Sequence, residues 1–399
     1  MIKLMKGIKP NESQDIIQGN PSKDSSLMRE WIGFAATGIW CFSSMFISER
    51  DLLKTHIIVL CYMLLLSISL LIVGALFGKQ LSNLSKIASI ATPVASVLMI
   101  TMLFSPEPVY FASYLFSALL LAPQLLRRSY GLFICASENN RFITYFSAFS
   151  AVLIAFSIWH LFFNDSREIF FLIAIFAFIG SIGIKRSVPL EISELYIQRI
   201  KLKSSRMVFI AILACVSLSL LGFLCLMLRE YLLDYGIVHH SIAIVLSVLL
   251  LPAAGFIVYS VLSDKHSEKY AFSFAIAVLL IGCLAALLSK NSLFQFPMLI
   301  GVGFGGIITE YLWLSMPLYF VKTSRNPVLT ASLGLICFSL VAASSWLGCY
   351  TLPQIQRDPR MLLILSAIMA ELTSLIFINV FRWQNREMLM NAIITQCFK

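Results

Sequence analysis

Two acidic residues lie deep within apolar stretches of the sequence, Glu310 and Glu371. A charge at the centre of a bilayer costs about 2.5 kcal/mol or more, so an acid there must be protonated, paired or wetted. Such a group can exchange protons or attract a cation. Glu310 lies near the middle of its stretch, after the glycine-rich run Gly301 to Gly306, which favours a flexible or closely packed helix. A carboxyl hydrogen-bonded to a neighbouring helix is the alternative for Glu310, and a structural role is favoured for Glu371.

Aromatic side chains accompany Glu310 and recur in two other apolar stretches. The candidates are Tyr311, Trp313, Trp40 and Tyr114. A cavity lined by aromatic rings with one carboxylate suits a hydrophobic or weakly cationic solute, through ion pairing and cation–π contact. Packing against lipid or within the core is the alternative in a chain with 31 Phe. No spacing of His, Cys and carboxylates indicates a metal site, and we expect no cofactor.

Twelve apolar segments of membrane-spanning length would position these residues. A helix needs about 20 largely apolar residues to cross the hydrocarbon core. The composition agrees, with 59% hydrophobic and 13% charged residues. The segments are 31–47, 55–78, 86–105, 108–126, 143–163, 168–184, 207–228, 237–262, 270–288, 294–321, 328–348 and 361–381. We therefore predict an all-α multi-pass membrane protein.

The basic residues lie between these segments or at their ends, and they are distributed unequally. Counting from a cytoplasmic N-terminus, 23 of the 30 Lys and Arg residues fall on the cytoplasmic side and 7 on the other. The positive-inside rule then predicts that both termini are cytoplasmic. The net charge of +10 reflects this topology, and no nucleic-acid partner is indicated. Since no Lys or Arg falls inside the segments, apart from Lys86 at the first position of the third, an anionic substrate is disfavoured.

A long basic connection divides the chain into two halves of six segments. The predicted organisation is a cytoplasmic tail 1–30, a six-helix bundle 31–184, a cytoplasmic linker 185–206, a second bundle 207–381 and a cytoplasmic tail 382–399. Two bundles joined in this way are typical of secondary transporters.

A short loop motif appears at matching positions in the two halves. After the eighth segment, Asp264, Lys265 and Lys269 follow Leu262, and this run resembles the loop signature G-x-L-x-D-R/K-x-G-R-R/K of the major facilitator superfamily. After the second segment, Gly74-Ala-Leu76-Phe-Gly78-Lys79 keeps the glycine, the leucine and the lysine but has Gly78 where the signature has Asp. The resemblance implies that Asp264, Lys265, Lys269, Gly74 and Lys79 belong to gating loops. A solvated turn with topology-setting charges is the alternative.

These observations predict a secondary active transporter of the major facilitator type that works by alternating access. Its cargo would be a small hydrophobic or weakly cationic solute, with protons as a candidate coupling ion. The sequence contains no G-x-x-x-x-G-K-[ST] loop for ATP, and we expect no enzymatic activity. A non-transporting membrane sensor or scaffold that signals through a partner is the alternative. The resemblance implies a monomer in a plasma membrane, that of a bacterial cell being the inner one.

Overall fold

The computed structural model describes part of the chain. The described residues are 21–45, 52–77, 81–136, most of 144–158, 169–184 except 183, 327–351 and most of 361–376, with single positions at 220, 224, 277, 280, 281 and 284. All helices named below lie within these ranges. They are α1 (Pro21–Met45), α2 (Leu52–Leu76), α3 (Leu81–Phe104), α4 (Glu107–Cys135), α5 (Ile169–Ser181), α6 (Pro327–Thr351) and α7 (Leu363–Thr373).

The described residues form helices with no strand among them, which agrees with the predicted all-α class. Three helices contain stretches long and apolar enough to cross a bilayer, namely Ile57–Leu76, Asn83–Met102 and Pro108–Phe133. Shorter apolar helices occur at Phe171–Ser181, Val328–Val341 and Leu363–Thr373. Helices α1 to α4 coincide with the first four predicted segments, and α5, α6 and α7 with the sixth, eleventh and twelfth.

Two helices extend nine residues or more beyond the apolar segments that predicted them. Helix α1 begins at Pro21, within the predicted tail 1–30, because proline at the first helical position needs no hydrogen bond for its missing N–H. Helix α4 continues to Cys135, nine residues past the predicted end of its segment. Hydropathy detects only the apolar part of a helix, so polar turns at either end are omitted. Both extensions bring charged residues into the fold.

The first-half helices pack closely on one another. Helix α4 contacts α1, α2 and α3, while α5 packs against α1 and α3. The helical segment 144–158 joins this group, since Phe34 of α1 meets Tyr145 edge to face at a centroid distance of 5.3 Å. One helix of the second half, α6, lies along α2 and also contacts α4. The described part of the molecule is thus a first-half bundle with α6 on one side.

A proline inside α4 shows how this packing satisfies the backbone. Pro123 has no N–H to donate, so the carbonyl of Leu119 loses its hydrogen bond within the helix. The hydroxyl of Ser69 on α2 donates to that carbonyl at 3.3 Å. Side chains of neighbouring helices commonly replace such a bond where no water is present.

Several predicted features lie outside the described residues. They are the residues Glu310, Tyr311, Trp313, Asp264, Lys265, Lys269 and Lys79, the linker 185–206, the tail 382–399, and the eighth and tenth segments. These stay predictions, as do the number of twelve helices and the cytoplasmic termini.

Candidate functional site

A buried ion-pair cluster connects α1 to α4. Glu30 of α1 and the adjacent Arg127 and Arg128 of α4 are each at most 1% exposed. Arg127 Nη2 lies 3.0 Å from Glu30 Oε1, and Arg128 Nη1 lies 3.2 Å from Glu30 Oε2. Arg127 Nη1 also donates to Oε2, at 3.3 Å. Both carboxylate oxygens are therefore occupied, and one acid faces two guanidinium groups.

The other donor groups of the two arginines form hydrogen bonds with two further helices. Arg128 donates from Nε and Nη2 to the carbonyl of Gly180, at 3.0 and 2.6 Å, and from Nη2 to the carbonyl of Ile182 at 2.8 Å. These carbonyls end α5, where a helix carries a partial negative charge of about half an electron. Arg127 Nε donates to the hydroxyl of Ser85 on α3 at 2.8 Å. The cluster therefore fastens α1, α3, α4 and α5 to one another.

Glycines make room for the two arginines. A methyl group at Gly33 of α1 would overlap the guanidinium of Arg128, and one at Gly131 of α4 would overlap Arg127 and Glu30. At Gly180 a methyl carbon would lie 3.0 Å from Thr37 Oγ1 and 3.1 Å from Gln124 Nε2. Side chains this large can be buried only because the facing positions carry none.

Sequence reasoning missed this cluster and made one wrong inference about it. Arg127 and Arg128 were assigned to a loop, and the absence of Lys and Arg from the spans was used against anionic substrates. Arg127 and Arg128 lie inside α4, within the apolar stretch Pro108–Phe133, so that premise is wrong. Glu30 was assigned to the tail and is buried in α1. A usable signal was present, because Glu30 precedes the first apolar segment and the Arg pair follows the fourth, and the predicted topology places both of these ends on the cytoplasmic side.

Two of the predicted binding residues, Trp40 and Tyr114, lie in a polar region enclosed by α1, α2 and α4. Both side chains are 0% exposed. The Tyr114 hydroxyl donates to the carbonyl of Ser44, and its ring stacks on Tyr62 of α2 at a centroid distance of 4.6 Å. Ser44 Oγ in turn donates to the carbonyl of Trp40 at 2.9 Å. The structure therefore places Trp40 and Tyr114 in one region, where neither side chain is exposed to solvent.

Two polar atoms of this region have no hydrogen-bond partner among the described residues. They are the indole nitrogen of Trp40 and the hydroxyl of Ser43. A buried donor or acceptor left unsatisfied costs about 1–3 kcal/mol, so a state in which these groups are hydrogen-bonded is favoured.

A different kind of contact joins α2 to α6 across the two halves. The hydroxyls of Ser67 and Ser339 lie 2.6 Å apart and are buried. Gly74, one of the predicted gating residues, faces α6 two residues before the end of α2. A methyl carbon at Gly74 would lie 2.6 Å from Ser332 Oγ and 3.1 Å from the Cα of Leu329. This contact consists of small residues and one pair of hydroxyl groups. None of the interactions described between α2 and α6 is an ion pair.

Glu371 lies on α7, and its side chain is exposed. The residues one turn before and after it on the same face, Ile368 and Leu375, are 51% and 53% exposed. No group of three or more potential metal ligands occurs among the described residues.

Comparison with known proteins identifies the fold. No protein-family model matches the sequence, and no curated protein is significantly similar to it. Two solved structures of similar fold are crystal structures of a bacterial homologue of the iron transporter ferroportin in an outward-facing state, one of them with soaked iron. The iron-soaked structure has a TM-score of 0.63 at 13% identity, and the other has 0.62 at 15%. Each alignment covers 90% of this chain and 98% of the other protein.

At these identities the likeness concerns the fold. The chain is a multi-pass helical membrane protein with the fold of these two structures. Its membership of the major facilitator superfamily, inferred from the loop motif, stays a prediction.

Proposed function

We propose that the protein is a secondary transporter that works by alternating access, with its two halves moving as bodies around a central site. The proposal is supported by a difference between the contacts within the first half and the contacts between the two halves. Within the first half, Glu30, Arg127 and Arg128 bind four helices through buried charged hydrogen bonds. Between the halves, α2 and α6 meet through Gly74, Ser67 and Ser339. A rigid half that meets the other half through uncharged contacts is consistent with rocking-bundle transport.

The position of the α2–α6 contact favours an outward-facing state. With cytoplasmic termini, α2 would end and α6 would begin at the cytoplasmic surface. The approach of Gly74 to Leu329 and Ser332 would then close the cytoplasmic side. The two similar crystal structures are also outward-facing. The alternative of a non-transporting sensor is not favoured by this fold.

The proposed cargo is a small hydrophobic or weakly cationic solute, bound by Glu310 with the nearby Tyr311 and Trp313. Glu310 would carry the proton that couples transport to a pH gradient. Trp40 and Tyr114 would contribute from the first half when the region around them opens. A divalent metal cation is a second candidate cargo, favoured by the likeness to an iron transporter structure with soaked iron.

Flux in proteoliposomes tests this function. We expect a pH gradient to drive uptake of a solute from a panel of lipophilic cations, neutral drugs, Fe²⁺ and Mn²⁺. Glu310→Gln should lower that uptake at least about tenfold, because it removes the proposed proton carrier. Glu371→Gln, at the other intramembrane acid, should retain it. Absence of flux for every solute, from folded protein, would contradict the proposal.

Gly74→Val should weaken the closed state. The added carbons would meet the backbone of Leu329, which cannot move as a side chain can, and overpacking of this kind costs about 1–3 kcal/mol. We expect transport to fall severalfold, with the equilibrium displaced from the outward-facing state. Ala75→Val is the matched control, since Ala75 is exposed on the same turn. Equal transport by the two variants would show that this approach of the helices does not belong to the cycle.

A further inference from the structure

The indole nitrogen of Trp40 and the hydroxyl of Ser43 lie on the same turn of α1. Both side chains are 0% exposed, and neither atom has a hydrogen-bond partner among the described residues. Residues three apart in a helix are neighbours on its surface. Because nearly all buried polar groups in native proteins are paired, two neighbouring groups without partners require an explanation.

The hydroxyl of Ser43 differs from the other hydroxyl groups near it on α1. A serine or threonine inside a helix can donate to the carbonyl four residues earlier. Thr37 donates in this way to Gly33 at 2.7 Å, and Ser44 donates to Trp40 at 2.9 Å. Ser43 makes no such bond, although the same option is open to it. Its hydroxyl group is therefore directed away from the backbone of its own helix.

The two groups lie near the middle of the membrane. Trp40 is close to the centre of the predicted span 31–47, and it is about 15 Å along the helix from Glu30 at 1.5 Å per residue. The substrate sites of secondary transporters lie near this depth. The surroundings are polar as well, since Tyr114 of α4 donates to the carbonyl of Ser44.

We propose that Trp40 Nε1 and Ser43 Oγ together bind a hydrogen-bond acceptor of the cargo, a carbonyl or ether oxygen. This inference rests on the proposed transport function and specifies the chemistry of its cargo. An indole nitrogen donates a hydrogen bond and does not accept one. It therefore presents a hydrogen atom to the bound group, whereas a divalent metal cation needs the lone pairs of oxygen, nitrogen or sulfur. Of the two proposed cargoes, this pair of groups selects the organic solute.

The first test is the stability of the purified full-length protein without cargo. Ser43→Ala removes a buried hydroxyl group without a partner at little change in volume. We expect it to raise the temperature at which half of the detergent-solubilised protein aggregates, by about 2 °C or more. Ser96→Ala on α3 is the matched control, because the hydroxyl of Ser96 donates to the carbonyl of Thr92 at 3.1 Å. It should not raise that temperature. A lower stability of Ser43→Ala would show that the hydroxyl is bonded within the fold and would overturn the proposal.

The second test is binding, measured as the rise in the same temperature with increasing probe concentration. The probes are two pairs that differ in an acceptor oxygen, namely benzoylcholine with phenylbutyltrimethylammonium and benzylacetone with butylbenzene. We expect the wild type to bind the oxygen-bearing member of at least one pair about tenfold more tightly. Trp40→Phe and Ser43→Ala should each remove most of this preference. Trp31→Phe should keep it, since Trp31 Nε1 already donates to Ser147 at 2.9 Å.

The outcomes of the binding test separate this inference from the transport function. Equal affinity for the two members of both pairs would overturn the inference, and so would a preference that survives Trp40→Phe and Ser43→Ala. Binding is measured without flux. A protein that shows the expected preference but moves no solute in proteoliposomes would therefore contradict the transport function and leave the binding site in place.

Discussion

Glu30→Ala should lower the stability of the protein more than any other single change at the described residues. It leaves Arg127 and Arg128 buried without their counter-charge, and removing one partner of a buried ion pair costs about 3–5 kcal/mol. We expect the temperature at which half of the detergent-solubilised protein aggregates to fall by roughly 5–10 °C. Size-exclusion chromatography after stepwise heating measures this directly.

Two controls separate the loss of charge from other effects of the substitution. Arg29→Ala changes the preceding residue, which is exposed, and should leave the stability unchanged. Glu30→Asp retains the charge and should lose less than Glu30→Ala. Removing Arg127 as well, in the double variant Glu30→Ala with Arg127→Met, should recover part of the loss, because coupled residues are not additive. Equal stability of Glu30→Ala and Arg29→Ala would show that the cluster does not hold the helices together.

Oxidation of the double variant Ser67→Cys with Ser339→Cys should stop transport. The two hydroxyl oxygens lie 2.6 Å apart, so the substituted sulfur atoms can approach bonding distance with little movement of α2 or α6. A covalent bond there would prevent the halves from separating. We expect flux to fall to roughly a tenth or less of the reduced sample, since alternating access needs both states. Reduction by dithiothreitol should restore it.

The single variants Ser67→Cys and Ser339→Cys are the controls for the native thiols, which include Cys61 on α2 and Cys337 on α6. Oxidant should affect neither of them. A protein that forms the disulfide between positions 67 and 339 and still transports at the reduced rate would place the moving interface elsewhere.

The helical architecture could be predicted from the sequence because a helix that crosses a bilayer must be long enough to span it and largely apolar. The first four predicted segments, for example, each contain most of the apolar part of α1 to α4. The ends of the helices could be predicted less well. Hydropathy gives Arg127 and Arg128 the same cost wherever they lie, although in the fold Glu30 and the α5 carbonyls compensate that cost.

The candidate site could also be predicted only in part from the sequence. Trp40 and Tyr114 were selected as aromatic residues in spans, and the structure places both near Ser44. Sequence alone does not give their rotation about the helix axis, so their complete burial was not predicted. Gly74 was selected from a loop motif, and its approach to Leu329 depends on packing between distant parts of the chain. Such contacts are set by tertiary structure and leave no periodic pattern.

The glycines that surround the two arginines also limit how this protein can evolve. A larger residue at position 33 is compatible with the fold only if the side chain at position 128 is shorter, and the same holds for positions 131 and 127. Either arginine lost alone leaves a void and an incompletely bonded Glu30. Accepted changes should therefore occur in pairs, and in an alignment of descendants of this sequence position 33 should covary with 128. Positions 33 and 128 are 95 residues apart on different helices, so their covariation would report contact between α1 and α4. Positions 131 and 127 are 4 residues apart on α4 itself, so their covariation would not.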